Sequence, residues 1–133
     1  MMLPRSNLLP ATIVTAIAMA TISLLTACGG DPKYVPPAIV VTFSTEYPPP
    51  SALDASATAG IAAVVTNGPQ NPEVKFTCLP MAACGTFSPN PIASGIPTTY
   101  QAPPTVPAGG TVTITATSIT DPTKFASATI TID

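Results

Sequence analysis

Between Thr111 and Ser118 the chain alternates without a break. Val112, Ile114 and Ala116 stand between Thr111, Thr113, Thr115 and Thr117. Successive side chains of an extended backbone point to opposite sides, so this run puts its apolar residues on one face and its threonines on the other. Wound as a helix, the same residues would scatter around the whole circumference. Residues 124–132 repeat the pattern in return, with Ala126, Ala128, Ile130 and Ile132 on one face. Gly109-Gly110 before the first run and Asp121-Pro122 between the two are turn residues. A chain with two such runs is held to an antiparallel sheet with one buried and one wet face.

The same period recurs upstream. Ile39, Val41 and Phe43 alternate with Val40 and Thr42, until Pro48-Pro49-Pro50 stops the pairing. Ile61, Ala63 and Val65 form the next apolar face, ended by Asn67-Gly68-Pro69. Val74 and Phe76 lead into Cys78, and Thr98-Thr99-Tyr100 makes a short strand before Ala102-Pro103-Pro104. No segment of residues 38–133 carries a helical period. The expectation is an all-β domain, an antiparallel β-sandwich of about seven strands. Thr, Ala, Pro and Val dominate the composition, and β-branched residues suit a pleated surface. Proline-rich disorder is the competing reading of such a composition, and the alternation opposes it. Trp is absent and the inward residues are modest in size, so the core is thin and a covalent bridge would help it.

Upstream of residue 38 the pattern changes. Residues 1–7 carry one base, Arg5, and no acid, and residues 8–25 carry no charge. Leu24-Leu25-Thr26-Ala27-Cys28 closes the apolar stretch with small residues and then a cysteine. This resembles the lipobox of bacterial lipoprotein signal peptides. The resemblance implies cleavage before Cys28 and removal of residues 1–27. It also implies a diacylglyceryl thioether on the Cys28 sulfur and acylation of the new amine. Each buried CH₂ contributes roughly 0.8 kcal/mol, so two or three chains hold a protein to a membrane stably. The competing reading is an uncleaved membrane helix. Residues 8–25 are near the shortest span of about 17 residues, and they include Pro10, Ser23 and several threonines. Gly29 and Gly30 follow Cys28 with no adjacent Asp. Nothing there resembles an inner-membrane retention signal, which favours an outer membrane. Residues 28–37 then read as a Gly/Pro tether reaching roughly 30 Å.

Setting Cys28 aside leaves Cys78 and Cys84. Outside the cytoplasm a pair this close tends to oxidise. The ring would contribute roughly 2.4 kcal/mol through loop entropy. Two reduced, buried thiols are the alternative. Zinc is not supported: the chain has no histidine, and two cysteines cannot fill four positions.

Three stretches together resemble a bacterial Ig-like domain of the group 2 type. They are Val74-Lys75-Phe76-Thr77-Cys78 through Ala83-Cys84-Gly85-Thr86-Phe87-Ser88-Pro89, then Thr98-Thr99-Tyr100-Gln101-Ala102-Pro103, and the closing runs from Gly110 to Ile132. The resemblance covers residues 38–133. Members often carry Trp where this chain has Phe76, which implies that Phe76 is the central core aromatic. Tyr100, on a family-like strand, is expected in the core as well. Leu53-Asp54-Ala55-Ser56-Ala57-Thr58-Ala59-Gly60 departs from the family's turn before its second strand.

Chemistry has little to work with. Without histidine no Ser-His-Asp arrangement exists, and Glu46, Asp54, Glu73 and Asp121 read as solvated carboxylates in turns or at strand edges. Calcium needs clustered oxygens, whereas these acids are scattered. Neither a cofactor nor a metal is expected, and the protein is read as no enzyme. Lys75 and Lys124 point outward by alternation, which opposes an intramolecular Lys–Asn bond. Lys33, Lys75 and Lys124 against six acids make no basic patch, so nucleic acid is excluded as a partner. The expectation is a lipid-anchored cell-envelope protein with a structural, adhesive or protein-interaction role. The membrane is its partner through Cys28, and the second partner is an envelope protein or a glycan. A glycan- or small-ligand-binding lipoprotein, using exposed Tyr34 and Tyr47 as platforms, is one alternative. An accessory subunit of an envelope complex, marked by an exposed apolar patch on one sheet, is another.

Overall fold

The computed structural model describes residues 33–133; the expected signal peptide, Cys28 and the start of the expected tether, residues 1–32, lie outside the described residues. Residues 33–37 are exposed and carry no regular structure. Tyr34–Asp133 forms one compact unit. In chain order its strands are β1 (Val40–Phe43), β2 (Ala52–Leu53), β3 (Thr58–Ile61), β4 (Ala63–Thr66) and β5 (Glu73–Leu79), then β6 (Thr86–Ser88), β7 (Ile92–Ala93), β8 (Thr98–Gln101), β9 (Thr111–Ser118) and β10 (Phe125–Ile132). One 3₁₀ turn, Met81–Ala83, lies between β5 and β6. The described chain is all-β.

The two alternating runs form the longest pairing, β9 with β10, in antiparallel register from Thr117↔Phe125 to Thr111↔Thr131. Strand β5 joins the other side of β9, with Phe76 opposite Ala116 and Cys78 opposite Ile114. The sheet is completed in the order β2-β10-β9-β5-β7. A three-stranded sheet, β3-β8-β6, and a two-stranded sheet, β1-β4, complete the fold. Every pair is antiparallel except β2 with β10, which is parallel.

All three sheets contribute to one core. Val41, Ile61, Ala63, Val65, Val74, Phe76, Tyr100, Val112, Ile114, Ala116, Ile130 and Ile132 are buried in a single cluster with Cys78 and Cys84. In β9 and β5 the period is kept along the whole strand: even-numbered residues are buried, and odd-numbered ones are not. Burial of this apolar area is the main stabilising contribution. The few buried polar atoms are partnered: the Thr98 hydroxyl donates to the Pro89 carbonyl at 2.6 Å, and no buried side-chain N or O among the described residues lacks a partner.

The strand count departs from the sequence expectation. Ten strands form where about seven are expected. Ile61, Ala63 and Val65 do not share one strand: Ile61 ends β3 and Ala63 begins β4, in different sheets. The reason is visible at Ala62. Three consecutive residues, Ile61, Ala62 and Ala63, are all buried, which a strand with one wet face cannot do. The Ala62 amide donates to the Tyr47 carbonyl, and its own carbonyl accepts from Ser44, each at 2.9 Å. These bonds hold the step from one sheet to the next. The two-residue strands β2 and β7 account for the rest, being too short to carry a period.

Candidate functional site

Two features meet at β5 of the five-stranded sheet: a rigid corner and an open face. The corner is built around the ring closed by Cys78 and Cys84, whose sulfurs are bonded with Cα atoms 5.7 Å apart. The Tyr100 hydroxyl donates to the Cys84 carbonyl at 2.7 Å. Phe87 lies between Phe76 and Tyr100, with ring centroids 5.4 Å from the first and 5.0 Å from the second. Gly85 leaves the ring at φ +90°, and a Cβ there would run into the Gln101 carbonyl oxygen. Only glycine meets both conditions. Burial pushes the Tyr100 phenol above its ordinary pKa, because the anion would be poorly solvated there. Where β7 stops, the Asn90 side chain replaces a strand. Its oxygen accepts from the Phe76 amide at 2.9 Å, and its amide donates to the Phe76 carbonyl at 2.8 Å.

The open face is the outer surface of the same sheet. Register lays its side chains in rows: Lys75, Thr117 and Phe125; Thr77, Thr115 and Ser127; Leu79, Thr113 and Thr129. Thr115 and Ser127 hydroxyls bond at 3.0 Å. Lys75 is the single charge in these rows. Large apolar side chains stand exposed around the threonines, with Leu79 and Phe125 each 60 % exposed and Met81 and Ile119 beside them. Two shallow grooves meet at Thr77. One, of about 480 Å³, is lined by Thr77, Cys78, Leu79, Met81, Cys84 and Thr115. The other, of about 460 Å³, is lined by Lys75, Thr77, Thr117, Ser118, Ile119 and Pro122.

The residues singled out from sequence fall as follows. Phe76 and Tyr100 are buried in the core at 2 % and 0 % exposure. Tyr34 and Tyr47 are both exposed, but neither lines the two grooves. Tyr47 instead lies close over Gly60. Glu46, Asp54 and Glu73 are exposed, and no group of three His, Cys, Asp or Glu among the described residues could hold a metal ion. Asp121 serves its turn: the Thr123 hydroxyl and amide donate to its carboxylate at 2.6 and 3.1 Å. These bonds, with a smaller contribution from Lys124, lower its pKa. Cys28 lies outside the described residues. No described helix is long and apolar enough to cross a membrane. Leu79, Met81, Ile119 and Phe125 were not expected to matter as a group. Alternation alone carries the signal for Leu79 and Phe125, which occupy the outward phase of β5 and β10.

No family model, curated protein or solved structure matches the chain.

Proposed function

We propose that this is a lipid-anchored protein of the bacterial cell envelope, in an outer membrane, whose single Ig-like β-sandwich docks a protein partner through the outer face of its five-stranded sheet. The observation that carries the docking role is that face itself. One lysine stands in three rows of threonine, with Leu79, Met81, Ile119 and Phe125 exposed around them. Interface cores are poor in charge and rich in aromatic residues and Met, and a patch of this kind on one sheet marks a contact surface. The accessory-subunit role is thereby preferred to glycan binding, because the exposed tyrosines stand apart from the grooves.

The Ig-like assignment is supported by strand order. The adjacency of β5, β9 and β10 fits strands C, F and G of that architecture, and the order β3-β8-β6 fits B, E and D, with β1-β4 as a separate pair. The lipid anchor rests on the run ending in Cys28. It accounts for the exposed segment of residues 33–37 as the upper part of a tether. The experiment is metabolic labelling with a fatty acid, followed by envelope fractionation. Wild-type protein takes up label and floats with outer membrane; Cys28→Ser does neither. Label retained by Cys28→Ser would remove the anchor from the account.

A further inference from the structure

We propose that the outer edge of β10 pairs with the same edge of a second copy of this chain, joining two five-stranded sheets into one. Hydrogen bonds define the edge. The Ser118 amide donates to the Lys124 carbonyl at 3.0 Å and the Ile132 amide to the Gly110 carbonyl at 2.8 Å, so even-numbered residues of β10 turn their backbone groups to β9. Odd-numbered ones turn theirs away. The Thr131 amide donates to the Ser51 carbonyl at 3.0 Å and the Asp133 amide to the Leu53 carbonyl at 3.1 Å, but β2 pairs only with Thr131 and Ile132. The amides and carbonyls of Phe125, Ser127 and Thr129 therefore point out of the sheet, with no backbone partner among the described residues. All three residues are exposed. At the other edge of the sheet β7 covers Glu73 and Val74, and the Asn90 side chain takes both backbone groups of Phe76. The β10 edge has no such cover. Open edges are normally blunted by Lys, Pro or a bulge, and Phe125-Ala126-Ser127-Ala128-Thr129 holds none of these.

A second copy fits this window because the window is complementary to itself. A two-fold axis at Ser127 sets Ser127 opposite Ser127 and Phe125 opposite Thr129, each as a hydrogen-bonded antiparallel pair. Three residues on each copy, with one amide and one carbonyl apiece, make six bonds and leave none of these groups over. On the outer face Phe125 stands beside Thr129, an aromatic and β-branched pair that favours adjacent strands. On the inner side Ala126 meets Ala128, both small and half-buried. No charge lies in the window, so no like charges are opposed. Before Phe125 each copy turns back toward β9, with the Lys124 amide bonded to the Asp121 carbonyl at 2.9 Å, and so leads away from the shared edge. Six bonds correspond to about 600–1,200 Å² of interface. That is the size of a transient contact, which covalent trapping reads best.

The test uses the full chain in bacterial cells, with cysteines placed on the edge and a thiol-coupling oxidant. The readout is a product of twice the chain's mass on a non-reducing gel, and the wild-type chain sets the background. Paired Ser127 residues have Cα atoms about 5.5 Å apart, within disulfide reach, so Ser127→Cys should give the double-mass product. Phe125→Cys and Thr129→Cys chains should give it when made together and not when made singly, since each residue lies roughly 13 Å along the strand from its own counterpart. Ser127→Pro removes an outward amide and leaves the ladder to β9 whole. Added to the Phe125→Cys and Thr129→Cys chains, it should cut their product about ten-fold or more, as two lost hydrogen bonds require. No product from Ser127→Cys or from the mixture overturns the inference, and so does a product from Phe125→Cys alone that equals the mixture's. A Ser127→Cys product with the mass of another protein assigns the edge to a foreign strand and overturns it too. None of these outcomes bears on the outer face of the sheet.

Discussion

Replacing Tyr100 by Phe removes one oxygen from a side chain with 0 % exposure. The ring remains and keeps its place against Phe87, at a centroid distance of 5.0 Å. What is lost is the 2.7 Å donation to the Cys84 carbonyl. A typical hydrogen bond contributes about 1 kcal/mol net, but a buried acceptor left without its donor costs about 1–3 kcal/mol. Cys84 is 4 % exposed, so the larger range applies, and we expect about 2 kcal/mol. For a domain of this size each kcal/mol moves Tm by roughly 4–8 °C, giving a fall of roughly 8–16 °C by calorimetry. The pH dependence gives a second, independent readout. Burial raises the phenol's pKa above 10.0, so the folded state holds that proton to higher pH than the unfolded chain does. The stabilisation is complete below pH 10 and is lost as pH rises toward the raised folded value, at up to about 1.4 kcal/mol per pH unit. Tyr100→Phe should abolish that alkaline loss. A Tm within about 2 °C of wild type, with the alkaline loss unchanged, would refute the role given to this hydroxyl.

Removing the bridge with Cys78→Ala and Cys84→Ala together should cost roughly 2.4 kcal/mol in chemical denaturation, the loop-entropy value for the small ring. Gly85→Ala places a Cβ against the Gln101 carbonyl at φ +90° and should destabilise by more than the roughly 1 kcal/mol of an ordinary left-handed position, read as a lower urea midpoint. Phe76→Ala removes one end of the aromatic stack from the buried core and should cost about 3–5 kcal/mol. Leu79→Ser with Phe125→Ser should leave the unfolding free energy in urea within about 0.5 kcal/mol of wild type, because both side chains are largely exposed, while recovery of partner on the tagged protein falls sharply.

Legibility followed strand length. Along β9 and β10 the period runs for eight residues each, long enough to fix both faces: the residues read as inward are buried in β9, while in β10 Ile130 and Ile132 are buried and Ala126 and Ala128 half-buried. For Phe76 and Tyr100 it is the resemblance to Ig-like domains, rather than the period, that implies a core position, and both are buried. The period failed at Ala62, where two strands of different sheets meet with no residue between the faces to signal the change. It also failed at Ala52–Leu53, whose pairing with Thr131 and Ile132 is set by tertiary contact rather than by local composition. Asn90 could not be read at all. Its role depends on meeting Phe76 across the fold, and an isolated Asn between two prolines carries only a turn signal. The candidate face was half legible: alternation sends Leu79 and Phe125 outward, but only the register aligns them with the threonines of β9.

The most direct measurement of the central claim compares photo-crosslinking at two outward threonines of the full chain in bacterial cells. Thr115 lies on the proposed docking face, between Thr77 and Ser127. Thr99 is exposed on β8 in the other sheet. The account predicts one discrete crosslinked protein from Thr115, lost in Leu79→Ser with Phe125→Ser and absent from Thr99. Equal crosslinking from both positions, or crosslinking from Thr99 alone, would contradict it.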